Sequence, residues 1–106
     1  MPKYLIQGNY VSEGLKGLLK EGGTARRAAM EKLAASLGGT LETFYYAFGE
    51  TDIYAIVDLP DNASAAAFAL TVGAGGAATV KTAVLMTPEE VDEATKKSPS
   101  YRRPGQ

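Results

Sequence analysis

The sequence predicts an α+β domain whose segments run β-α-β-β-α-β, followed by one further helix. Three observations predict it. Four runs of strand-forming residues fall at 3–11, 40–48, 53–59 and 77–86. The stretches after the first and third runs carry apolar residues at helical spacing. The second and third runs are separated only by Gly49-Glu50-Thr51-Asp52, which is turn chemistry and makes them an antiparallel hairpin.

Each element has its own signal. Lys3 to Val11 contains Tyr4, Ile6, Tyr10 and Val11 and reads as the first strand. Leu15, Leu18 and Leu19 give residues 12–23 an apolar side, but Gly14 and Gly17 each weaken a helix by about 1 kcal/mol relative to alanine. A short helical turn or ordered loop is expected there. Thr24 can cap a helix over 25–37, with Met30, Leu33 and Leu37 on one stripe and Gly38-Gly39 as the stop. Pro60 ends the third strand, and Asp61 or Asn62 caps a helix over about 62–73. Its buried stripe is Ala65, Phe68, Ala69 and Val72. Thr87-Pro88-Glu89-Glu90 combines an N-cap threonine, a proline at the first position and a glutamate at the third, starting a helix over about 88–96. Residues 1–96 are thus one domain, and residues 97–106 are a flexible polar tail.

This order is that of the ferredoxin-like fold, a four-stranded antiparallel sheet with both main helices on one face. The strands are not polar on their other side. Alternation puts Phe44, Tyr46 and Phe48 on one side of strand two and Leu41, Tyr45 and Ala47 on the other. In strand three, Tyr54 and Ile56 oppose Ile53, Ala55, Val57 and Leu59. The helices can cover one face only. A second copy is therefore expected over an aromatic face carrying Phe44, Tyr46, Phe48, Tyr54 and Ile56, making the protein a homo-oligomer, a dimer at least.

Composition removes several classes of function. The chain of 106 residues has neither histidine nor cysteine, so a Ser-His-Asp or Cys-His nucleophile and the usual zinc sites have no ligands or bases to work with. No disulfide is expected, and neither a metal nor another cofactor. A net charge of −1 argues against a nucleic-acid partner. The longest apolar stretch, near Ala63 to Val72, is too short to cross a bilayer, and no signal peptide is read at the start. A cytoplasmic location is the expectation, with no membrane partner. Gly73-Ala74-Gly75-Gly76 follows a helix and precedes a strand, the reverse of the order in a dinucleotide fingerprint.

Five side chains are candidates for ligand binding. Tyr10, Tyr46 and Tyr54 each combine an apolar ring with a hydrogen-bonding tip, suited to orienting a small molecule beneath the open sheet face or to packing an interface. Asp52 begins strand three and could act as a base, pair with a cation or brace its turn. Lys81 interrupts an apolar strand and suits an anion or a solvated edge. Arg26 and Arg27, in the first turn of their helix, fit surface ion pairs better than an anion site.

Several of these segments together resemble the GYD domain family: Tyr4 to Tyr10, Gly14 to Gly22, Phe48 to Tyr54, Asp58 to Asn62, Val80 to Thr82 and Thr87 to Glu90. The resemblance covers about 90 residues, all but the tail. The family is named for Gly-Tyr-Asp at the hairpin. Here Gly49 and Asp52 match, and Thr51 stands where tyrosine is usual, so no role for that tyrosine carries over. The resemblance implies the dimeric α/β-barrel group, in which two ferredoxin-like sheets pack face to face. That group holds cofactor-free oxygenases, isomerases, haem-handling enzymes and proteins without known activity, so the fold does not select a reaction. Three readings follow: a homo-oligomer with a small-molecule pocket at the open sheet face, an oligomerising or regulatory module without chemistry, and a cofactor-free oxygenase or isomerase-like enzyme.

Overall fold

The computed structural model describes residues 1–106. The elements are β1 (Lys3–Tyr10), α1 (Ser12–Glu21), α2 (Gly23–Ser36), β2 (Thr40–Tyr46), β3 (Ile53–Asp58), α3 (Asn62–Ala74), β4 (Ala78–Leu85) and α4 (Pro88–Thr95). The sheet order is β2-β3-β1-β4 with every neighbouring pair antiparallel. This is the interleaved arrangement of a ferredoxin-like α+β fold, each β-α-β unit having a strand of the other between its two strands.

The core lies between the sheet and helices α2 and α3. Tyr4, Ile6, Ala55, Val57 and Leu59 meet Ala34, Ala65 and Phe68 in one buried cluster, with Met30, Leu33, Phe44 and Val72 packed around it. Tyr4 is fully buried, and its hydroxyl donates to Asn62 Oδ1 at 2.7 Å. A buried phenol without such a partner would cost about 1–3 kcal/mol. Helix α3 starts at Asp61, whose carboxylate accepts from the Ser64 backbone N–H at 2.8 Å, and α4 starts in the expected capping box of Thr87 and Glu90.

Two local expectations are corrected. Residues 12–21 form a complete helix, not a turn or loop. Gly14, read as a weakness, is buried where α1 meets the start of β4: a Cβ there would overlap the Ala77 carbonyl oxygen and lie 2.6 Å from Tyr10 Cδ1. The missing side chain is what lets α1 pack. Helix α2 in turn begins at Gly23 behind Gly22, with no side-chain cap, so Thr24 does not serve as one. Gly22 takes φ 88°, a left-handed conformation suited to glycine, and thereby reverses the chain between α1 and α2.

The larger correction concerns which strand residues share a face. Leu41 pairs with Val57 but Thr43 pairs with Ile56, so one extra residue, Glu42, is inserted into β2 as a bulge. The bulge flips the alternation beyond it. Phe44 and Tyr46 face the helices, opposite Ala55 and Ile53, while Tyr45 stands opposite Tyr54 on the uncovered face. Tyr46 and Phe48 therefore do not join Tyr54 and Ile56 in one aromatic face. Strand β2 ends at Tyr46, and Phe48 lies beyond it at φ 56°, its ring stacked on Tyr46 at 5.6 Å between centroids.

The uncovered face is ordered in cross-strand rows. Tyr45, Tyr54, Gln7 and Lys81 form one, Thr43, Ile56, Leu5 and Ala83 the next, and Asp58, Lys3 and Leu85 a third. In the third row Lys3 Nζ donates to Asp58 and Glu42, each at 2.9 Å. Helix α4 projects away from this body with every residue exposed. The radius of gyration is 17.0 Å, against about 13 Å for a compact chain of this length.

Candidate functional site

The structure divides the candidate side chains between two sides of the sheet. Tyr54 and Lys81 lie in the same row of the uncovered face, separated by Gln7. Tyr10 and Tyr46 lie on the helix side. Asp52 sits at the end of the hairpin, where its backbone N–H donates to the Gly8 carbonyl at 3.0 Å and to Asn9 Oδ1 at 2.9 Å. Its carboxylate accepts from the Tyr10 backbone N–H at 2.9 Å. Asp52 thus ties the hairpin to β1 and supplies an acceptor to a backbone donor that the sheet leaves unpaired.

Tyr46 is held by its surroundings on the helix side. Its ring meets Phe44 edge to face at 5.1 Å between centroids, and its hydroxyl donates to the Gly23 carbonyl at 3.1 Å. Burial pushes its phenol up to about 12, the neighbouring Tyr10 phenol adds to the shift, and Arg26 and Arg27 pull the other way. The phenol stays neutral at physiological pH, a hydrogen-bonding group rather than a base. Arg27 is drawn off to Glu31 at 3.7 Å, and Arg26 meets Glu21 at 3.4 Å, as surface ion pairs do.

Next to these groups an apolar cleft of about 380 Å³ opens between α2 and α3 above the end of the sheet. Met30, Leu33, Phe44, Ile53 and Val72 line it, with Tyr10 and Arg26 at its polar side. A pocket of about 30 Å³ continues beneath it towards Gly8 and Ala55. Small residues stand where larger ones would fill the cleft, Ala29 on α2 and Ala77 and Ala78 at β4, and Gly8 in β1 lines the smaller pocket beneath. This cleft lies on the helix side, apart from the small-molecule pocket expected at the open sheet face. The available signal was a glycine inside a strand opposite alanine-rich helices.

The GYD domain model matches residues 4–95. The chain belongs to the GYD domain family. Neither a curated protein nor a solved structure matches it. Within this GYD domain the hairpin that gives the family its name is a structural knot: Asp52 binds β1, and the Ala47 N–H donates to the Asp52 carbonyl at 3.0 Å. No three carboxylates converge to hold a metal, and no helix of the domain is long and apolar enough to cross a membrane.

Proposed function

We propose that this GYD domain works as a self-associating module in which two copies pack through the uncovered faces of their sheets. The observation that carries the reading is the row structure of that face. Tyr45 is 70% exposed and Tyr54 38% exposed, side by side, and beside them run Leu5, Ile56 and Ala83. A monomer of 11.1 kDa is expected to expose about 5,700 Å², whereas this chain exposes 7313 Å². The projecting α4 and the exposed residues after it contribute to this excess, and a standard interface removes about 800 Å² from each partner. At about 25 cal/mol per Å² of apolar area, covering the face is a substantial driving force before association entropy is subtracted. A second copy also brings an identical aromatic row, so Tyr54, Gln7 and Lys81 of both copies would border any small-molecule space left between the sheets. The absence of histidine and cysteine favours binding or assembly over catalysis as the work of that space.

Sedimentation at micromolar concentration tests the proposal. The wild-type chain is expected to run as a dimer, and Tyr45→Glu as a folded monomer, because Tyr45 touches solvent in the isolated chain and a charge there is harmless to it. A folded wild-type monomer would overturn the reading.

A further inference from the structure

We propose that the cleft between α2 and α3 binds a small amphipathic organic anion, its apolar body inside and its carboxylate on Arg26 and Tyr10. The site lies on the opposite side of the sheet from the proposed self-association face and does not depend on it.

Three observations carry the proposal. The cleft has the size of a ligand site: about 380 Å³, where small-molecule pockets run from about 300 to 1,000 Å³. At about 30 Å³ each it would hold roughly a dozen waters, and Met30, Leu33, Phe44, Ile53 and Val72 around them offer no hydrogen bonds. Displacing such waters by an apolar group is favourable. The polar groups of the lining are few and sit together. Arg26, Tyr10 and Thr71 are the hydrogen-bonding side chains, and no acidic side chain is among them. An apolar cavity with one guanidinium and a phenol selects a negative head group over a neutral or positive one. Glu21 meets one Arg26 nitrogen at 3.4 Å from outside the cleft, which offsets part of the charge but leaves the other donors of the fork for a ligand. Finally, the cavity is maintained by small side chains. Ala29, Ala77 and Ala78 are the small side chains of its lining, and Gly8 lines the smaller pocket beneath.

The probes are 1-naphthoate and its neutral counterpart 1-naphthalenemethanol, titrated into the full chain by calorimetry and mapped by amide chemical shifts. Naphthoate is expected to bind saturably, one per chain, about tenfold more tightly than the alcohol, with the largest shifts at Arg26, Ala29, Val72 and Ala78. Arg26→Gln should remove the preference while the alcohol binds as before. Ala29→Phe should weaken both probes at least tenfold, and Tyr45→Glu should leave both unchanged, which separates this site from the self-association face. The proposal is overturned by absence of saturable binding, by equal affinity for acid and alcohol in the wild-type chain, or by shifts centred on Tyr54 and Lys81. It is equally overturned if naphthoate fails to bind and Ala29→Phe dissociates a wild-type dimer, which would mean that a second copy occupies the cleft.

Discussion

Alanine at Gly14 and alanine at Gly17 should shift stability in opposite directions, although both replace glycine in the same helix. On propensity alone each substitution favours α1 by about 1 kcal/mol. At Gly17 nothing lies within 4 Å of the new Cβ, so the gain stands. At Gly14 the Cβ overlaps the Ala77 carbonyl oxygen and crowds Tyr10. Backbone cannot rotate aside as a side chain does, and this carbonyl also accepts from the Val11 N–H at 3.0 Å. Either α1 lifts by about an ångström or that hydrogen bond is distorted. Overpacking of this kind costs about 1–3 kcal/mol, and the obstacle being backbone places it at the upper end. The net expectation is a loss of about 1–2 kcal/mol for Gly14→Ala and a gain of about 1 kcal/mol for Gly17→Ala. At about 4–8 °C per kcal/mol the two variants should melt some 10–20 °C apart. Urea and thermal denaturation followed by circular dichroism measure this directly. A Gly14→Ala protein as stable as Gly17→Ala would refute the claim that α1 is docked through a close backbone approach.

Three further outcomes are expected. Tyr46 should titrate near pH 12 in an ultraviolet absorbance titration. Because its proton is held more tightly in the folded state, its contribution to stability is complete below about pH 10 and is lost as pH rises towards 12, a component that Tyr46→Phe should lack. Asp52→Ala should cost about 1–2 kcal/mol by leaving the Tyr10 N–H without its acceptor, with Asp52→Asn recovering most of it in denaturant melts. Removing the residues after Lys97, all of them exposed, should change stability by no more than about 0.5 kcal/mol; a larger fall in melting temperature would mean that the tail packs on a neighbouring subunit.

The fold was legible because its signals are local. The hairpin follows from four turn residues between strand formers, the start of α4 from Thr87-Pro88-Glu89-Glu90, and the α3 stripe from the spacing of Ala65, Phe68 and Val72. What was not legible depends on distant contacts. Gly14 reads as a helix breaker until Ala77, 63 positions away, is beside it. The bulge at Glu42 leaves no mark in a strand rich in Thr, Phe and Tyr, so counting by twos from Leu41 put Tyr45 on the wrong side. That single slip also joined Tyr46 to Tyr54 and hid the division of the candidate residues between two faces. The cleft escaped notice for a different reason: it is made of what alanine and glycine leave out.

The bulge has a consequence for how the protein avoids unwanted polymerisation. Strands β2 and β4 are the two borders of the sheet, and each offers unpaired N–H and C=O groups to any passing strand. On the β2 border the extra residue breaks the regular spacing of those groups and puts a carboxylate, Glu42, beside them, fixed by Lys3 at 2.9 Å. On the β4 border Lys81 must be desolvated before another strand can dock. A ribbon growing by edge-to-edge addition, the geometry of amyloid, would have to override both devices. The same inserted residue that turns Tyr45 outwards therefore also closes the border to runaway growth.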